Sequence, residues 1–331
     1  MRNNLPAKNL ASGRDAADIL RVRFWYEGVR QRAGMDSAYE LEQLFEPESF
    51  RRRPKDGKPC HRCKWQRYRE GRHTPQNRLA ERVNAQLPGA IQELRHPLWD
   101  VLKLKPNRSA LSEAILQRLM PDVLAVLYEP VGGTQVYWQR APVARTLIAR
   151  LERIASLDAL AALVWLLFEA LAQDHRERAN NLVRGIYAVL LMLGIWWQER
   201  QLADSMMALF AERILPLAAP QYLRFNMSSQ DLVKASAGLN LVVYNTDVSQ
   251  HSDLPWQQRV RIMRNLLSGH FGLDVASAFS PVYALASCES QEAPPAVIEQ
   301  LRLDEQLRAW GWNCILAGRD EAFPPSNISL K

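Results

Sequence analysis

Apolar residues recur along this chain three or four positions apart from residue 16 almost to residue 310, the spacing of amphipathic helices. Residues 16–32 set Ile19, Leu20, Phe24 and Val29 on one side, and Gly34 supplies a stop. Asp36 or Ser37 can cap a second helix over 38–45, with Leu41, Leu44 and Phe45 in register and Pro47 closing it. Residues 51–59, RRRPKDGKP, carry two prolines and a glycine and read as a basic loop. A third helix fits 61–70, ended by Gly71. Thr74 at the N-cap and Pro75 at the first helical position predict a fourth over 76–86, with Leu79, Val83 and Leu87 in line. Pro88 and Gly89 end it. Residues 91–105, with Pro97, Leu98 and Trp99, are expected to pack back on this group. Pro106, Asn107 and Arg108 form the expected linker, which divides 16–105 from 109–331.

Past the linker the helical spacing continues. Residues 109–127 place Leu111, Ile115, Leu116 and Leu119 on one side, and 130–133 break the pattern. Residues 142–156 open on a proline and show Leu147, Leu151 and Ile154. Two strongly apolar runs follow, 157–172 and 185–197, separated by the polar stretch 174–184. Both fall short of the roughly 20 residues a spanning helix needs, so a buried helical hairpin is expected and membrane association is not. Residues 202–217 predict another helix, while 239–244 fits either a short strand or a buried helical turn. Asp253 and Pro255 open a helix to Leu267, Pro294 and Pro295 open one to Trp310, and 323–331 reads as loop. The pattern predicts an all-α chain in two parts, without a fixed-period repeat.

Composition narrows this further. With 331 residues, 47% apolar and 23% charged, the chain is neither disordered, collagen-like nor a disulfide scaffold. The net charge of +7 is unevenly spread. Residues 1–110 hold 23 Lys and Arg against 13 Asp and Glu, whereas the rest hold 19 against 22. Residues 51–82 alone carry 12 basic and 3 acidic side chains, which points to a polyanion partner for the N-terminal part. The start is polar and lacks the apolar core of a secretory signal, so a cytoplasmic protein with reduced thiols is expected.

The most informative stretch is 58–87, KPCHRCKWQRYREGRHTPQNRLAERVNAQL. Tyr68, Gly71 and Pro75 give an aromatic, two residues, a glycine, three residues and a helix-opening proline. His61, Trp65 and Tyr68 lie four and three apart and can form the stripe that seats a helix. Its other side then carries Arg62, Lys64, Gln66, Arg67 and Arg69, side chains suited to base edges and phosphates. This resembles the C-terminal half of the Cro/C1-type (Xre-like) helix-turn-helix, with 37–45 as the first helix of the pair. The resemblance implies an N-terminal helix-turn-helix-like unit, with 61–70 reading duplex DNA and Arg69, Arg72 and His73 at a phosphate-touching turn. One departure stands out: the family joins its two helices by a few residues, and this chain has 46–59 between them. Either the loop is an insertion that meets DNA through Arg51, Arg52 and Arg53, or 38–45 and 61–70 are not the pair.

Other chemistry is sparse. Cys60 and Cys63 have C-x-x-C spacing, but no second pair completes four zinc ligands, and within a helix the two would share a face. No phosphate-cradling, dinucleotide-binding or nucleophile-elbow motif occurs, and the acidic pair Asp320–Glu321 reads as solvated. Neither a metal nor a cofactor is expected. Three function classes follow. The leading one is a DNA-binding regulator, or a DNA-associated component of a mobile element or defence system. In it, 109–331 would serve homo-oligomerisation or a protein partner. The second is a helical interaction protein that exposes an apolar face on 157–197. The third is an enzyme without a recognisable motif.

Overall fold

A computed structural model describes residues 13–52, 59–60, 63–107, 111–131, 137–245, 254–286, 293–319, 321–326 and 328; the side chains of 51, 52, 59, 60 and 245 are outside that description. The chain is all-α apart from three two-stranded ribbons among the described residues. It divides into two compact units. One comprises residues 1–103 with 199–202, the other 104–198 with 203–331.

The first unit is built around α1 (Ala16–Ala33). Asp15 caps it by accepting the Ala17 N–H, and Gly34 closes it at φ 63°. The helix is buried on most of its circumference, through Val22, Phe24, Trp25, Tyr26 and Val29, rather than along the single stripe that the spacing predicts; Ile19 is half-buried. Helix α2 (Ala38–Phe45) starts with a reciprocal capping box between Ser37 and Glu40. Leu41 and Phe45 face the core, but Leu44 is exposed.

Residues 51–59 are not wholly a loop. After a 3-10 turn at Pro47–Ser49, β1 (Arg51–Arg52) pairs antiparallel with β2 (Pro59–Cys60), Arg51 opposite Cys60 and Arg52 opposite Pro59. Such a two-strand ribbon is all edge and tolerates a proline. Arg53 lies outside the described residues, as do His61 and Arg62. Helix α3 (Lys64–Arg69) begins later than the spacing predicts, because Cys63 takes the left-handed conformation at φ 50° and a helix cannot run through it. Cys60, on a strand, and Cys63 therefore share no helix face. Helix α4 (Asn77–Gln86) also starts late: Gln76 is its N-cap and no side chain caps it, so Thr74 and Pro75 precede the helix. Helices α5 (Ala90–Leu94) and α6 (Pro97–Val101) pack back on α1, with the Trp99 and Phe24 rings 5.5 Å apart.

The segment 199–202 completes this unit. Arg200 lies over the Phe24 ring, 4.2 Å from its centroid, and pairs with Glu93 at 2.8 Å. Glu93 also takes Arg32 at 2.9 Å. A Cβ on Gly28 would sit 2.2 Å from the Glu93 Oε2, so only glycine lets that carboxylate reach α1.

In the second unit, 109–127 is not one helix. A 3-10 segment at Glu113–Arg118 is followed by α7 (Pro121–Leu127), because Pro121 holds Met120 extended. Ribbon β3 (Tyr128–Pro130) and β4 (Trp138–Arg140) leads to α8 (Arg145–Ile154), three residues later than Pro142 predicts. Helix α9 (Leu157–Ala172) buries 12 of its 16 residues, as a core helix does. Helix α10 (Arg176–Glu199) is continuous, so most of the polar 174–184 stretch is its first turns and not a connection. It is the one described helix long and apolar enough to cross a membrane, and 67% of its apolar window is buried inside the protein. The apolar 157–197 face of the interaction-protein alternative is thus used up as core.

Helices α11 (Ala203–Arg213) and α12 (Ser229–Asn245) follow, and 239–244 is helical within α12. Strand β5 (Leu223–Phe225) pairs across a long connection with β6 (Tyr283–Leu285), which lies beyond α13 (Trp256–Leu267) and α14 (Leu273–Ala278). Helix α15 (Pro295–Ala317) crosses α14 closely at Gly311. Glu321 is no loose solvated acid: it accepts from the Trp310 Nε1 at 3.1 Å, and its N–H donates to Asp274 Oδ2 at 3.2 Å. Asp320 lies outside the described residues.

Candidate nucleic-acid interface

Trp65 anchors α3. It is fully buried, stacked on Phe45 at 5.4 Å and on Trp25 at 5.5 Å, with Tyr68 edge-on at 5.8 Å. Its indole N–H donates to Glu46 Oε2 at 3.2 Å. Tyr68 closes the same cluster; burial first, then the fields of Glu46 and Glu42, push its phenol up to about 12. With these two side chains inward, the helix must present Gln66, Arg67 and Arg69 outward, and all three are exposed.

Two buried acids beneath α3 escape the sequence expectations. Glu42 accepts the Ser49 hydroxyl at 2.9 Å, and Glu46 accepts both the Trp65 indole and the Lys64 ammonium, the latter at 2.7 Å. Glu42 faces inward from α2, and Glu46 does so from the residue that caps its end. Their i, i+4 spacing beside Leu41 and Phe45 is the one signal that could have revealed them. Lys64 is turned toward the protein by this pair, unlike its neighbours.

The helix ends where the sequence places the stop. Gly71, at φ 71°, donates to the Tyr68 carbonyl at 2.9 Å, and Arg72 N–H reaches back to the Arg67 carbonyl at 2.8 Å. A Cβ on Gly71 would lie 2.8 Å from the Ile19 carbonyl oxygen, so the turn rests directly on α1. Glu70 gathers two of the outward groups, Gln66 at 2.8 Å and Arg72 at 2.7 Å. His73 is exposed at the turn.

Of the ten residues expected at the site, Gln66, Arg67, Arg69, Arg72 and His73 come together on and just after α3, with Lys64 beside them but engaged by Glu46. Arg51 and Arg52 lie on β1, and Arg53 and Arg62 are outside the described residues. Chemically the exposed group offers forked guanidinium donors and one amide, and no nucleophile with a partnering base. No family model, curated protein or solved structure matches this chain.

Proposed function

We propose that the first unit binds duplex DNA, as a transcriptional regulator or a DNA-associated component of a mobile element or defence system. Arg62, Gln66 and Arg67 meet base edges, while Arg69, Arg72, His73 and the arginines at 51–53 meet phosphates. The observation that carries this is the division of α3: Trp65 and Tyr68 fix one face rigidly, and three polar or basic side chains stand clear of the core on the other. Lys64 positions the helix through Glu46 rather than touching DNA. Six residues make a helix about 9 Å long, enough to face two or three base pairs. One unit therefore gains most of its affinity from phosphates, and a long specific site requires a second copy of the chain.

The test is a titration of labelled duplex with the full chain across salt concentrations, read by fluorescence anisotropy. Affinity should fall with a log–log slope of several units. No binding at low salt, or a flat response, refutes the proposal.

A further inference from the structure

The seam between α1 and the 70–74 turn holds a crowded group of arginines. Arg14 donates from Nη1 to the Gly71 carbonyl at 2.8 Å and from Nη2 to the Thr74 hydroxyl. Arg21, seven residues along, brings its Nη2 to the same hydroxyl oxygen at 3.4 Å. The carboxylates within reach are already shared. Asp18 serves Arg21 at 3.2 Å and Lys103 at 3.3 Å, Glu27 holds Arg30 at 2.7 Å, and Glu70 holds Gln66 and Arg72.

Thr74 makes the arrangement directional. A hydroxyl has two acceptor positions and one proton to give. Arg14 and Arg21 both donate to its oxygen, so its own proton is left for an acceptor outside the protein. Thr74 is exposed, and α4, which starts three residues later, has no side-chain cap on its first amides. Crowding also acts on the arginines themselves. Burial first, with a smaller contribution from the like charge of Arg21, lowers the Arg14 guanidinium pKa against the pull of Asp18. An anion here would relieve that repulsion.

We infer that this seam is a phosphate site formed by Arg14, Arg21 and Thr74, and that its occupant is a backbone phosphate of the bound duplex, beside the base-facing side of α3. The occupant rests on the DNA-binding proposal above; the anion site itself does not. The site would fix the register of α3 on the duplex without contributing sequence preference.

The experiment uses the full chain and two double variants, R14Q/R21Q and R14K/R21K. Anisotropy titrations with several duplex sequences are run across salt, and melting temperatures are measured in inorganic phosphate against chloride at equal ionic strength. The Gln pair should weaken every duplex by about tenfold or more and flatten the salt slope by about one unit for each phosphate no longer neutralised. The Lys pair, which keeps the charge, should restore most of the slope. Phosphate should raise the melting temperature of the parent by more than that of the Gln pair, which reports the general stabilising effect of the salt. If the parent binds DNA and the Gln pair, still folded by its melt, binds with the same affinity and slope, the inference is overturned while the DNA proposal stands. If the Gln pair fails to fold, the Lys pair decides: parental affinity together with an unchanged response to phosphate overturns the site. If the parent binds no duplex, the DNA proposal and the named occupant fall together. The phosphate melts then decide whether the anion site exists.

Discussion

Replacing Trp65 with alanine is the sharpest perturbation of the first unit. The side chain is fully buried, so the substitution removes its whole transfer free energy and leaves a cavity among Trp25, Phe45 and Tyr68. Truncations of this kind cost about 3–5 kcal/mol. The indole N–H is lost as well, leaving the Glu46 carboxylate with Lys64 at 2.7 Å as its remaining partner. Stranding part of a buried acceptor adds about 1 kcal/mol. The total, about 4–6 kcal/mol, approaches the whole stability of an ordinary domain, about 5–15 kcal/mol. Trp65→Phe keeps ring stacking and loses the hydrogen bond and some volume, for about 1–2 kcal/mol. Gln66→Ala and Arg67→Ala, on the exposed face, should stay within about 0.5 kcal/mol of the parent. Urea unfolding of the full chain followed by near-ultraviolet circular dichroism, which reports the aromatic cluster, measures all four. A silent Trp65→Ala alongside unfolding in Gln66→Ala or Arg67→Ala would mean the helix is rotated and the face assignment is wrong.

Three further outcomes are expected. Gly311→Ala drives a Cβ to 2.2 Å from the Asp274 backbone oxygen, which cannot swing away as a side chain would; it should cost about 3 kcal/mol, and a normal melting temperature would show that α14 and α15 do not cross so closely. Burial raises the phenols of Tyr26 and Tyr68 to about 12, so their stabilisation is complete below pH 10 and lost as the pH rises through the folded value. The double Tyr→Phe variant should therefore outlast the parent between pH 10 and 12, and equal alkaline melting curves would contradict the shift. Arg67→Ala should weaken a preferred duplex by about 1–3 kcal/mol and relax its sequence preference, whereas alanines at 51–53 should weaken specific and random duplexes alike; the reverse pattern in paired titrations exchanges their roles.

Sequence was most legible where a short-range rule settles the conformation. Ser37, one of the two expected caps, Gly34 and Gly71 mark helix ends by capping chemistry that involves only their neighbours, and the structure keeps all three. The outward face of α3 was legible for a similar reason, since Trp65 and Tyr68 had to be inside. Expectations failed where a distant partner decides. Thr74 carries the signature of an N-cap, yet its hydroxyl is engaged by Arg14 and Arg21 from the other end of the unit, and α4 begins without it. Cys63 gives no sequence sign of left-handed backbone, so the helix was placed three residues too early. Hydropathy split α10 at Arg184 because its first turns are polar, although the backbone runs on unbroken. Arg200 sits among residues with no local reason to join a unit that otherwise ends near residue 103.

That last feature sets a clock on synthesis. The ribosome completes α1, α5 and α6 long before it reaches Arg200, about a hundred residues downstream of Lys103. At about 5–20 residues per second, the nascent first unit spends roughly 5–20 s with the Phe24 ring lacking its Arg200 cover and the Glu93 carboxylate lacking its Arg200 ion pair. Its final closure is thus tied to translation of the larger unit rather than to its own emergence. Slow codons between 104 and 199 would lengthen that exposed interval, and a chain cut after Lys103 would never leave it.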